Sequence, residues 1–444
     1  MERIATSLSS ETRHKTISTQ LCQNELRNYA RTVFLKTIFI LLILLLASRV
    51  FAQDTLPQKS LEVYGFAMVD MGYNFDQIDP RWFDALRINR LPKYKDQFAP
   101  DGTWFFGVRQ TRFGVKGYTP TSMGDLTVRF EFDMFGTGSD EGQTTMRLRY
   151  AYGQLGKFLI GQATSPFMDA DVWPNTVEYW GPSGMVYYRN VQVRYMPIND
   201  ADKELWIALE RPGAGADKGT ISIPEDGPSL PSLDSVKAKL SAPDISAHFK
   251  KRGKWGSVQL AGIFRPLKWA DTRVNKGGTD LSGSATGWGA HLSAAINLTK
   301  NTVFRGNYVY GEGIENYMQD APNDIGTVLT GNPSKPIEGQ ALPVTGIMAW
   351  IDHNWNPTWW TSLGYSNVTI DNTATAAGTT SYKYGQYASL TIGTTPIQNT
   401  MAAVEFQWGQ REGEDGFKAE CKKIQISFKY NFSTTFFKPK GGQD

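Results

Sequence analysis

DLTVRFEFDMF, Asp125 to Phe135, decides the fold. Leu126, Val128, Phe130, Phe132 and Met134 fall on one side of a period-two strand, and Thr127, Arg129, Glu131 and Asp133 fall on the other. Turning Arg, Glu and Asp inward in a soluble sandwich would carry a large desolvation penalty. In a water-filled barrel the apolar face meets lipid and the charged face meets water, so neither is misplaced. The pattern recurs outward from this stretch. Met146, Leu148, Tyr150 and Tyr152 oppose Arg147 and Arg149. Ile424, Ile426, Phe428, Tyr430 and Phe432 oppose Lys423, Gln425, Ser427, Lys429 and Asn431.

Carried along the chain, this reading predicts about sixteen strands, an even number in the porin range. They fall at 61–72, 104–118, 125–135, 145–153, 157–162, 184–197, 203–211, 243–251, 255–267, 285–298, 301–311, 344–355, 357–369, 384–396, 400–411 and 418–432. The connections alternate. Long ones are 73–103, 136–144, 163–183, 212–242, 268–284, 312–343, 370–383 and 412–417, and short ones lie near 119–124, 154–156, 198–202, 252–254, 299–300, Asn356 and 397–399. Outer-membrane barrels have short periplasmic turns and longer outside loops, whereas a sandwich or propeller gives no reason for strict alternation. The expected fold is all-β, a transmembrane antiparallel β-barrel over residues 61–432. Aromatic residues near strand ends, Trp104, Tyr118, Tyr195, Trp255, Trp269, Trp355, Trp359, Trp360 and Trp408, suit a girdle at the lipid–water boundary.

The N-terminus reads as a leader. Residues 1–30 form an upstream extension; Arg31–Ala52 then has a basic start, an apolar run from Ile38 to Ala47 and a cleavage site after Ala52. Residues 53–60 are a short periplasmic lead-in, and 433–444 a C-terminal tail. Residues 1–52 hold seven Lys/Arg and three Asp/Glu of the totals of 46 and 43, so about 39 cations face 40 anions in the remainder. The basic balance belongs to the leader, and nucleic acid is not an implied partner. Cys22 leaves with the leader, so Cys421 has no disulfide partner and barrel closure must supply the stability. No apolar run after residue 52 is long enough for a membrane helix.

One stretch has no period. Ala163 to Gly184, rich in Pro, Asp and aromatics, is too aromatic for disorder and too long for an idle connection. It is expected to fold into the barrel mouth and narrow it, with Asp169, Asp171, Trp173, Glu178, Tyr179 and Trp180 at the constriction. Arg129, Arg147 and Arg149 lie on neighbouring strands and one face, and Arg112, Arg189, Arg194 and Arg305 join them. Guanidinium forks pair with carboxylates. Such a ladder filters small anions if binding stays weak enough for release. Glu131, Asp133, Asp169, Asp171 and Glu178 would form an opposing electronegative side. The alternative is that the arginines only brace the wall by pairing with Glu131 and Asp133.

Enzyme motifs are thin. His248, His291 and His353 are lone residues within strand patterns, and no HExxH, GxSxG, Cys pair or phosphate loop occurs after the leader. Asp76, Asp79 and Asp84, or Asp320 and Asp324, fit no standard calcium loop. No cofactor or metal is expected.

The chain resembles the DcaP-like outer-membrane porins. The resemblance rests on YGFAMVDMG (64–72), RQTRFGVKG (109–117), LTVRFEFDMFG (126–136), RLRYAYGQLGKFLIGQATSPFMD (147–169) and WGPSGMVYYRNVQVRY (180–195). It implies a homotrimer of barrels in the bacterial outer membrane, each with its own pore, passing small anionic solutes such as dicarboxylates. The matching positions are Arg129, Arg147, Arg149, Arg194 and Asp169. Two features depart from the family pattern. Only Gln53–Ser60 stands where some relatives carry a helical segment, and the chain runs past the terminal aromatic Phe432 as STTFFKPKGGQD. The competing functions are a carbohydrate-preferring porin, with Trp173, Tyr179 and Trp180 stacking on sugar rings, and a barrel-anchored enzyme or adhesin.

Overall fold

A computed structural model describes residues 59–437 apart from 217–232, 240, 275–277 and 374. The leader therefore lies outside the described residues. The wall strands are β1 (Ser60–Asn74), β2 (Thr103–Gly107, resuming as Arg112–Thr121), β3 (Gly124–Phe135), β4 (Thr144–Leu155), β5 (Phe158–Thr164), β6 (Arg189–Asn199), β7 (Lys203–Glu210) and β8 (Asp244–Gly253). They continue as β9 (Gly256–Asp271), β10 (Gly283–Asn297), β11 (Thr302–Glu312), β12 (Pro343–Asn354), β13 (Trp359–Ile370), β14 (Tyr382–Thr394), β15 (Thr400–Gly413) and β16 (Lys418–Phe436). Each pairs antiparallel with the next. β1 closes the ring on β16, from Leu61 opposite Phe436 to Asn74 opposite Lys423. The result is a closed 16-strand antiparallel barrel with no free edge, the arrangement that satisfies every backbone group in lipid.

Alternation sets the two faces. Phe130 is 46% exposed on the outside, while its neighbour Glu131 is 1% exposed within. Exposed apolar side chains cover the outer face of every part of the wall, for example Val193, Leu260, Tyr308, Leu363 and Phe428. Short turns on one rim alternate with long connections on the other. At the turn between β4 and β5, Gly156 sits at φ 54°, a left-handed conformation that glycine adopts without a Cβ penalty.

Four details differ from the sequence expectation. The strand expected over 104–118 is broken at residues 108–111. There Arg109 turns into the barrel to pair with buried Asp84 (Nε–Oδ2 2.8 Å), and the Thr111 hydroxyl accepts the Met68 N–H at 3.1 Å. The long connection 313–342 contains a hairpin, Ile325–Asn332 against Lys335–Ala341. Trp360 packs inside against Met68 and Val177, leaving the girdle to neighbours such as Trp355 and Trp359. The last strand also runs on to Phe436, because Leu61–Tyr64 of β1 offer it pairing partners.

Candidate pore constriction

The connection between β5 and β6 crosses the lumen, pinned by side chains from strands around the ring. Near its start, Asp169 accepts from Lys250 of β8 (2.5 Å) and Ser293 of β10 (2.7 Å). The His248 and His291 rings meet the carbonyls of Pro166 and Phe167 at 2.9 and 2.8 Å. These histidines anchor the loop. His353 meets Thr302 at 2.9 Å. Further on, Arg305 of β11 donates to the Asp171 carbonyl, and Asn175 N–H reaches Asp352 of β12 at 3.3 Å. On the far side, Val177 N–H donates to Glu405 of β15 at 2.6 Å, and Glu178 pairs with Lys423 of β16 at 2.7 Å. The return limb, Ser183–Gly184, meets Ser366 of β13. Most of these contacts give a buried polar group its partner.

The opposite wall is an arginine cluster built on two carboxylates. Glu131 and Asp133 of β3 are buried. Arg129 Nη2 lies 2.6 Å from Glu131, and Arg149 bridges both acids, at 2.8 Å to Glu131 and 2.7 Å to Asp133. Arg147 pairs with Asp133 at 2.9 Å, and Arg112 approaches Glu131 at 3.7 Å. The loop docks here through Tyr179. Its hydroxyl donates to Asp133 at 2.5 Å and receives from Arg147 and Arg149, while its ring stacks on Phe135 at 3.9 Å.

A β-bulge arranges this cluster and corrects one expectation. Opposite Glu131 stands Tyr150 and opposite Phe132 stands Leu148, so Arg149 is an inserted residue. Tyr150 and Tyr152 consequently face inward, not toward lipid; the Arg129 guanidinium lies 4.1 Å above the Tyr150 ring.

The lumen beside the loop is a cavity of about 710 Å³. Of the expected filter residues, Arg112, Arg147, Arg149 and Arg189 line it. Arg129, 30% exposed, does not line it, and Arg194 is buried against Trp206 and Gln192 (2.9 Å). Arg305 is engaged by Asp352 at 2.6 Å. Two lining cations were not anticipated as filter residues. Arg87, from the connection after β1, lies 4.3 Å above both Trp82 and Trp180 and 3.1 Å from Asp320. Lys429 projects inward from β16, as the alternation of that strand requires.

The expected electronegative side is not formed. Glu131 and Asp133 sit within the arginine cluster, Asp169 and Asp171 are taken by Lys250 and Arg252, and Glu178 by Lys423. The other lining acid, Glu315, is buried in the connection after β11. Burial and nearby Asp324 push its carboxyl well above the usual range. Trp173, Tyr179 and Trp180 face the cavity but spend ring surface on Tyr187, Phe135, and Trp82 with Arg87. Among the described residues, no three His, Cys, Asp or Glu side chains are placed to hold a metal.

A closed, even-stranded barrel with an apolar exterior and a charged lumen crossed by a loop defines an outer-membrane channel of the porin class. A family model described as the DcaP outer membrane protein matches residues 55–432. The chain belongs to the DcaP outer membrane protein family. Among solved structures, the outer membrane channel DcaP of Acinetobacter baumannii is 19% identical, with TM-score 0.67, covering 84% of this chain and 97% of its own. An anion-selective porin from Comamonas acidovorans is 10% identical at TM-score 0.52, covering 84% of this chain and all of its own. Salmonella typhi OmpF, in complex with daunomycin, is 12% identical at TM-score 0.52, with 84% and 97% covered. No curated protein sequence matches.

Proposed function

We infer that this outer-membrane channel favours small anions, dicarboxylates among them, and works by passive diffusion without catalysis. One observation carries the reading. Arg87, Arg112, Arg147, Arg149, Arg189 and Lys429 line the narrowed lumen, while the carboxylates that hold several of them are buried behind. The two roles first set against each other are joined: Glu131 and Asp133 brace the arginines, and the cationic excess faces solute. Fixed cations in a narrow lumen raise the local anion concentration, and guanidiniums add directional hydrogen bonds. A carbohydrate preference gains no support, since Tyr179 is stacked on Phe135, Arg87 covers a face of Trp180, and Trp173 packs edge-on with Tyr187. Export by the 1–52 leader and assembly as a homotrimer complete the proposal.

The test uses cations that hold no carboxylate. Arg189→Gln with Lys429→Gln removes two lining charges and breaks no ion pair among the described residues. The anion-to-cation permeability ratio, from reversal potentials in a salt gradient, should fall about two- to ten-fold. An unchanged ratio in a correctly folded barrel would reject these lining cations as the filter.

A further inference from the structure

A second cavity of about 410 Å³ lies toward the long-connection rim, and it differs from the constriction in having no acidic lining residue. Its walls come from the connection after β1 (Arg87, Arg90, Lys93), from residues 321–323, from residues 378–381, and from Tyr382 and Arg411 at the ends of β14 and β15. Arg87 and Arg90 are balanced by Asp320 at 3.1 Å and Glu141 at 3.1 Å. Lys93 and Arg411 have no ion-pair partner among the described residues; Asp415 influences Arg411 only at a distance.

Arg411 is the anomaly. It is 1% exposed, its Nη2 donates to the Thr380 carbonyl, and its Nε and Nη1 have no partner among the described residues. The hydroxyl of Tyr382, 5% exposed, is also without one. Buried donors left unpaired are costly, and a guanidinium more so. A carboxylate entering from the rim would pair with the Arg411 guanidinium, and the exposed Lys93 ammonium could meet a second carboxylate.

We propose that this cavity is a capture site for small dicarboxylates, ahead of the constriction. Arg87 lines both cavities, so a solute leaving the outer site meets a cation it shares with the inner one. The site rests on the anion reading of the channel, but its residues are separate from those tested above.

Succinate is the probe. Purified full-length protein is placed in a planar bilayer, and block of the chloride current is titrated with succinate added on the long-connection side. Lys93→Gln together with Arg411→Gln should raise the half-blocking concentration about three- to ten-fold, and Lys93→Gln alone should raise it less. Lys254→Gln, on the opposite rim, controls for general loss of charge. Lys93 is exposed, so its single variant gives a result even if Arg411→Gln fails to fold. An unchanged half-blocking concentration in Lys93→Gln and in any folded Arg411→Gln protein overturns the site, with water then filling the cavity. A normal block lost in these variants, with no change of reversal potential in Arg189→Gln/Lys429→Gln, keeps the capture site and rejects the filter. The reverse pattern does the opposite.

Discussion

Tyr187 shows how finely the lining depends on single groups. It sits in the loop just before β6, and its hydroxyl receives from Arg189 and Arg149. Burial alone would raise the phenol, but the guanidiniums of Arg189, Arg149, Arg112 and Arg147 outweigh it and bring the hydroxyl down to about 7. Below that pH the group is neutral and the cluster keeps its full positive excess. Above it the phenolate cancels one charge, so the anion preference should decline as pH rises through about 7. Reversal potentials between pH 6 and 8 should show a drop of about two-fold in the ratio. Tyr187→Phe should flatten it, and a step that survives in Tyr187→Phe would assign the titration elsewhere. Side-chain roles of this kind were only partly legible in the sequence. The period-two pattern puts Arg147 and Arg149 on the water side, yet the inserted Arg149 turns Tyr150 and Tyr152 inward too. A bulge of one residue leaves no compositional mark. Glu131 and Asp133 show the same limit: alternation gives their face, while their place behind the arginines depends on strand pairing.

At the scale of elements, the wall was far more legible than the loop. Strand after strand must satisfy lipid on one side and water on the other, so the alternation is written into β3 and β16 in full. The break in β2 was not, because it follows from Asp84, a residue of a different segment, drawing Arg109 inward. The inserted loop announces itself only by lacking a period; its anchors Lys250, Glu405 and Lys423 lie 81, 228 and 245 residues from their loop partners. The alternation makes a direct prediction. Phe130→Arg puts a charge on the lipid face and should cost about 2–4 kcal/mol if the site is near the bilayer midplane. Thr127→Arg, on the water side of the same strand, should cost far less. Denaturant unfolding from lipid vesicles would measure both. Equal losses would mean that the two faces of β3 have been assigned wrongly.

The whole molecule has a polarity that can be tested without any knowledge of its solute. All long connections leave one rim, and they carry the hairpin at 325–341 and the lining of the outer cavity. The other rim has only tight turns. Outer-membrane barrels place the longer loops outside the cell, so the capture site and the mouth of the constriction should face the medium. A cysteine label can decide the orientation because the native background is low. Cys22 lies within the expected leader, and Cys421 is buried in the wall. Ser334→Cys sits in the exposed turn of the hairpin, and Lys254→Cys in the exposed turn between β8 and β9. On intact cells a membrane-impermeant maleimide should label Ser334→Cys and leave Lys254→Cys unmodified, while lysed cells should label both. Labelling of Lys254→Cys alone on intact cells would invert the barrel and turn the proposed capture site toward the periplasm.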